Sequence, residues 1–184
     1  AQVAELSAGD ADEIIFLDIT ATKEGRRPNF ALVESLAREC FVPLTVGGGV
    51  KSVDDVRDLL RAGADKVSIK SCPAILPTLA GQFGAQALVR CFDYPQDAAS
   101  DWIAAVHMAG EYDEVGEILV QSVARDGSMT GYDLWLLKNS QSAIAPFIAS
   151  GGAGTYEHFV QAVEAGASAV AAGAMWLFTE QTPL

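Results

Sequence analysis

PLTVGGGV (Pro43–Val50) and PFIASGGAG (Pro146–Gly154) decide the fold, because each runs a short apolar stretch straight into a pair of glycines. After the first comes a helical stretch and then AGADKVSIKS (Ala62–Ser71). After the second comes another helical stretch and then AGASAVAAGA (Ala165–Ala174). A constant offset of 103 residues pairs Pro43 with Pro146, Gly48 with Gly151, Gly49 with Gly152, and Ala62-Gly63-Ala64 with Ala165-Gly166-Ala167. The two segments read as copies of one unit. A Gly-Gly turn between a strand and a helix leaves backbone N–H groups bare at the positive helix end, which suits a phosphate. Two such turns point to a ligand with a phosphate at each end.

Working outward, short runs rich in Ile, Val, Leu and Phe alternate with helix-period runs. The predicted strands are Glu13–Asp18, Pro43–Val46, Lys66–Ile69, Leu88–Phe92, Glu117–Gln121, Pro146–Ala149 and Ala169–Ala172. Most lack polar alternation, as expected of strands buried on both faces of a parallel sheet. Predicted helices include Asn29–Glu39, Val53–Arg61 and Tyr156–Glu164. Ser52 and Asp55 read as a cap with a boxed acidic partner, and Gly63 and Gly166 as helix stops. A repeated β-α pattern is a parallel α/β fold. Glycine turns in both halves suit a closed barrel better than an open doubly wound sheet with a single phosphate fingerprint. The predicted fold is therefore a single (β/α)8-type barrel domain over residues 1–184, with an internal two-fold repeat at about 13–72 and 117–175. A full barrel has eight units and about 250 residues. This sequence opens on a helix-like run and ends at LFTEQTPL, so the expected barrel is incomplete, without its first strand and final helix.

Half of the 184 residues are apolar and a fifth are charged. Twelve basic and 24 acidic residues give a net charge of −12, which argues against nucleic acid and anionic membrane as partners. No apolar run is long enough to span a bilayer, and no signal peptide is visible. Cys40, Cys72 and Cys91 lack metal spacing and read as free thiols of a cytoplasmic protein. His107 and His158 stand alone on helical stretches and read as packing or surface residues. No metal or other cofactor is expected.

In a barrel, working residues sit at the C-terminal ends of strands and in the loops after them. Those places hold Asp18-Ile19-Thr20-Ala21-Thr22, Gly47-Gly48-Gly49, Lys70-Ser71, Asp93, Ser122 with Arg125-Asp126-Gly127-Ser128, Ser150-Gly151-Gly152 and Gly173-Ala174. Carboxylates on one rim can exchange protons with a substrate where their surroundings split their pKa values. Each also has a structural reading. Asp18 could cap the next helix, Asp93 could start a turn with Tyr94-Pro95, and Asp126-Gly127 is a common turn pair.

FLDITAT, PLTVGGGV, GADKVSIKS, FGAQALVRCFD, GEILVQSVARDGSMTGYD, PFIASGGAG and AGASAVAAGAMWLF resemble, in order, the family of cyclase subunits of imidazole glycerol phosphate synthase. The resemblance implies a lyase of histidine biosynthesis. Ammonia from a glutaminase partner joins a ribulose-bearing bisphosphate, and imidazole glycerol phosphate and aminoimidazole carboxamide ribotide leave. It makes Asp93 one catalytic aspartate and Asp18 a functionally important strand-end acid. It assigns Gly48, Lys70 and Ser71 to one phosphate site and Gly151, Gly152, Ala172 and Gly173 to the other. Asp126 becomes a substrate contact, and Ser122 and Gly127 beside it on the rim are expected to bind substrate or phosphate. Glu13, Lys66 and Glu117 match the charged ring through which ammonia enters.

Four departures stand out. The family's second catalytic aspartate lies in a CLDV-like first strand that this sequence lacks. Lys70 replaces an Asn. The stretch after Asp93 runs almost directly to Asp101-Trp102-Ile103, without a usual hairpin. Tyr94-Pro95 replace a basic residue. The expectation is weak or absent cyclase activity for this chain alone. Two other readings fit: a non-catalytic or assembly-dependent fragment that closes its open edges by homodimerisation, and a cyclase-like subunit of an ammonia-dependent sugar-modifying system.

Overall fold

A computed structural model describes residues 2–9, 11–94, 114–140 and 145–178. His107, the Asp101–Ile103 stretch, Pro95 and the last six residues lie outside them. The chain packs as two compact units, one up to Val89 and one from Arg90 onward. Strand β4 (Leu88–Tyr94) carries the chain from the first to the second.

The first unit holds α1 (Gln2–Ala8), β1 (Ile14–Leu17), α2 (Phe30–Ala37), β2 (Leu44–Gly47), α3 (Val53–Arg61), β3 (Lys66–Ile69) and α4 (Leu76–Phe83). Its strands run parallel, Ile14 opposite Leu44 and Thr45 opposite Lys66. The second holds β5 (Glu117–Ser122), α5 (Leu134–Asn139), β6 (Phe147–Ser150), α6 (Tyr156–Glu164), β7 (Ala169–Ala171) and α7 (Ala174–Phe178). Here too the pairing is parallel, Ile118 opposite Phe147 and Ile148 opposite Ala169. All seven predicted strands are present, within two residues at each end.

The small boundary shifts have local causes. Proline has no N–H, so Pro43 and Pro146 stay outside the ladder and offer only a carbonyl, to Ile14 N (2.9 Å) and Ile118 N (2.8 Å). Asn29 is not the first residue of α2 but its cap, its side chain accepting from Leu32 N at 3.1 Å. The last turn then tightens, Glu39 N donating to Leu36 O at 3.0 Å, and the helix ends before the predicted Glu39. The Ser52–Asp55 capping box is present in both directions.

The repeat extends to individual hydrogen bonds. Gly63, at φ +105°, and Gly166, at φ +107°, end α3 and α6. In one case Ala64 N donates to Leu59 O (3.1 Å) and Gly63 N to Leu60 O (3.2 Å). In the other Ala167 N donates to Ala162 O (3.0 Å) and Gly166 N to Val163 O (2.9 Å). Both are Schellman motifs. Asp65 N donates to Leu44 O and Ser168 N to Phe147 O, both at 2.9 Å, while Leu44 N and Phe147 N return bonds to the side chains of Asp65 and Ser168. Asn29 and Asp133 cap α2 and α5 alike.

Each unit keeps its own core. Val46, Val56, Leu59, Val67, Ile69 and Leu79 are at most 1% exposed in the first unit. Ile118, Leu119, Val120, Leu136, Leu137 and Met175 are at most 2% exposed in the second. Burial of one such side chain stabilises by about 1.5–3 kcal/mol, which makes the apolar stripes of the helices and both faces of β2 the source of the layered packing.

Candidate functional site

In the first unit, Asp18 follows β1 and its N–H continues the ladder to Gly47 O at 2.9 Å. Its carboxylate accepts from Arg26 Nη1 at 2.6 Å and Nη2 at 2.8 Å, from Ala21 N at 3.2 Å and from Thr20 Oγ1 at 3.3 Å. The Arg26 guanidinium holds the carboxyl below the usual range against the opposing effect of burial, and the Ala21 N–H and Thr20 hydroxyl add to it. Arg26 also donates to Glu24 and Thr20, and its own pKa is raised. Asp18 is thus an oriented carboxylate, with a cap-like bond from the N–H three residues on and a bidentate cation.

Gly48, at φ +99°, brings its backbone directly against that of Asp18. Gly49 N donates to Thr22 Oγ1 at 3.3 Å, so one N–H of this turn is already engaged by the loop after β1. Lys70 and Ser71 are exposed at the end of β3. At the opposite ends of the strands, Lys66 Nζ pairs with both carboxylate oxygens of Glu13, at 2.8 and 2.9 Å.

In the second unit six of the expected residues come together. Asp126, Gly127, Gly151, Gly152, Ala172 and Gly173 line one cleft, with Ser150, Ala153, Ala171 and Ala174. Among the described residues, no protein group accepts from the N–H of Gly151 or Gly152. The Asp126 carboxylate accepts from Gln121 Nε2 at 3.0 Å. The turn reading of Asp126-Gly127 is right as well: Asp126 N donates to Ser122 O at 3.0 Å, and Ser128 N to Arg125 O at 3.0 Å. Ser122 does not line the cleft. It is 1% exposed, its carbonyl backs Gly151, and its Oγ has no partner among the described residues. Asp93 is half-buried near the end of β4, and Glu117 opens β5.

Three residues support these sites in ways their place in the sequence did not announce. One is Arg26, hidden as one of two adjacent arginines. A second is Tyr132, whose hydroxyl donates to Ala171 O at 2.9 Å behind the cleft and whose pKa burial pushes up. The third is His158, whose Nδ1 accepts from Gly154 N at 3.1 Å. Only His158 left a readable signal, since the 103-residue offset places it on Asp55.

Parallel β-α repeats with a glycine turn after the second strand of each half follow the pattern of a (β/α)8-type barrel, with seven strands among the described residues. Residues 1–182 match the family described as histidine biosynthesis protein, and the chain belongs to that family. It is 42% identical to the imidazole glycerol phosphate synthase subunit HisF of Endomicrobium trichonymphae, over 97% of this chain and 76% of that relative. The subunits of the same name from Mycobacterium tuberculosis and Mycobacterium leprae are each 43% identical over 97% of this chain, and 76% and 78% of their own lengths are covered. Among the described residues no helix is long and apolar enough to cross a membrane.

Proposed function

We propose that this chain is the cyclase subunit of an imidazole glycerol phosphate synthase, acting on a bisphosphorylated ribulosyl substrate with ammonia from a glutaminase partner. The convergence of Asp126, Gly127, Gly151, Gly152, Ala172 and Gly173 on one cleft carries the reading. Unengaged N–H groups at two consecutive glycines suit a phosphate. The first glycine turn, with Lys70 and Ser71, offers a counterpart, which matches a substrate bearing two phosphates.

In this reading Asp93 moves protons. Asp18, held ionised by Arg26, fits an anionic anchor better than a proton donor. The Glu13–Lys66 pair belongs to the ammonia entrance, with Glu117.

The test uses Gly173, where an added Cβ meets nothing within 4 Å. Gly173→Asp therefore leaves the fold intact while setting a carboxylate in the cleft. Inorganic phosphate at a hundred times its Kd is expected to stabilise the parent protein by about 2.7 kcal/mol, read as a rise in melting temperature. The variant is expected to lose that rise at an unchanged starting temperature. Equal stabilisation of both proteins would remove the phosphate from this cleft. Whatever product the parent releases from the bisphosphate and an ammonium salt, Gly173→Asp is expected to release less.

A further inference from the structure

His158 is the third residue of α6, and Asp55 is the third residue of α3. The offset of 103 equates them, and it also equates Gly154 with Lys51. In the first unit Asp55 Oδ2 reaches back and accepts from Lys51 N at 3.0 Å. In the second, His158 Nδ1 accepts from Gly154 N at 3.1 Å. One structural task, tying the chain after a glycine turn to the helix that follows, is performed by a carboxylate in one unit and an imidazole in the other.

The surroundings differ in step. Asp55 carries a counter-charge, Arg27 Nε at 2.6 Å. The equivalent caps Asn29 and Asp133 are 104 residues apart, and that spacing sets Gly131 in the place of Arg27. Gly131 lies against the ring of His158: a Cβ there would sit 3.5 Å from Cδ2 and 3.6 Å from Nε2. Gly131 N in turn donates to Gly152 O at 2.8 Å, and Gly152 lines the cleft. His158 is thus bonded to Gly154, which follows the cleft-lining Gly151–Ala153, and its ring faces Gly131, which is bonded to Gly152. An aspartate here would bring an uncompensated negative charge to an anion site, whereas an imidazole supplies the acceptor without it.

We propose that His158 is a positioning residue for the anion cleft, fixing the Gly151–Gly154 turn through Nδ1 and bracing Gly131 with its ring. The proposal rests on the reading that the cleft takes a phosphate. Because Nδ1 accepts, the neutral ring carries its proton on Nε2.

The test compares His158→Asn, whose Oδ1 takes the place of Nδ1, with His158→Leu, which keeps bulk and has no acceptor. Affinity for inorganic phosphate is measured by calorimetry at fixed salt, and protection of the Gly154 amide by hydrogen exchange. His158→Asn is expected to stay within about twofold of the parent on both. His158→Leu is expected to bind about tenfold more weakly and to lose Gly154 protection, the effect of one lost hydrogen bond. Should His158→Leu fail to fold, His158→Gln replaces it, since its amide sits at Nε2 and leaves Gly154 unpaired; the same tenfold loss is expected. Parent-like affinity in both the Leu and Asn variants overturns this proposal and leaves the phosphate reading standing. A parent protein that binds no phosphate overturns both.

Discussion

Gly48→Ala is expected to destabilise the protein by more than about 4 kcal/mol, an exceptional value for removing no contact at all. Two costs combine. The backbone at Gly48 has φ +99°, where a side chain is strained by about 1–2 kcal/mol. The added Cβ would also lie 2.2 Å from the carbonyl oxygen of Asp18, 2.8 Å from its carbonyl carbon and 2.9 Å from its nitrogen. These are backbone atoms at the end of β1, and the ladder bond from Asp18 N to Gly47 O (2.9 Å) fixes them. They cannot retreat without opening the β1–β2 pairing. The repeat supplies a parallel case in Gly151→Ala, with φ +91° and a Cβ 2.5 Å from Ser122 O, and a loss only slightly smaller is expected. Gly127→Ala is the control. Its φ of +73° is similar, but nothing stands within 4 Å, so only the backbone cost of about 1 kcal/mol remains. Urea unfolding of the three variants should rank them Gly48, Gly151, Gly127. Equal losses would show that φ alone dictates glycine at these turns.

That series also shows why so much of the fold was legible. A strand buried on both faces carries no long polar side chain within it, so β2 announces itself as Leu44–Gly47, all four residues buried. A helix end needing φ > 0 must be glycine, so Gly63 and Gly166 mark the stops. Local chemistry of this kind is written within a few residues. The second-unit cleft was legible for the same reason: backbone N–H groups and glycines build it, and no long side chain has to arrive from elsewhere. What stayed hidden depends on where side chains reach. Nothing within the loop Lys23–Asn29 says that Arg26 turns to Asp18 while Arg27 reaches 28 residues on to Asp55 and stacks over Phe30 at 4.8 Å. Ser122 stands at a strand end as well, and its position in the sequence does not tell that the pleat turns it inward to 1% exposure.

Asp55→Ala is expected to lower the unfolding free energy by about 3–5 kcal/mol at neutral pH, the cost of breaking a buried, hydrogen-bonded charge. The side chain is 3% exposed and accepts four bonds: Lys51 N and Ser52 N at 3.0 Å, Ser52 Oγ at 2.9 Å and Arg27 Nε at 2.6 Å. Alanine leaves two backbone N–H groups at the start of α3 without an acceptor, each worth about 1–3 kcal/mol. Asp55→Asn keeps an amide oxygen for those donors but sets an NH2 against Arg27 Nε, losing the charge and that one bond, so about 1–2 kcal/mol is expected. Arg27→Ala should cost less than Asp55→Ala, because it takes the counter-charge from a carboxylate that is 3% exposed but leaves that carboxylate its three bonds from Lys51 and Ser52. Acid separates the charge from the hydrogen bonds. Burial pushes the Asp55 carboxyl up, but Arg27, the Lys51 N–H and the Ser52 hydroxyl together hold it below its ordinary value. A depressed carboxyl stabilises fully above its unfolded pKa of about 3.9, and the contribution disappears as pH falls through the lower folded pKa. The parent should therefore lose stability on acidification below about pH 4, and Asp55→Asn, with nothing to protonate there, should lose less. Denaturant unfolding at pH 7 and pH 3 measures both slopes. If the two proteins fall in parallel, the carboxylate charge contributes nothing and the tie from Asp55 to Lys51 is a hydrogen bond alone, as it is at His158.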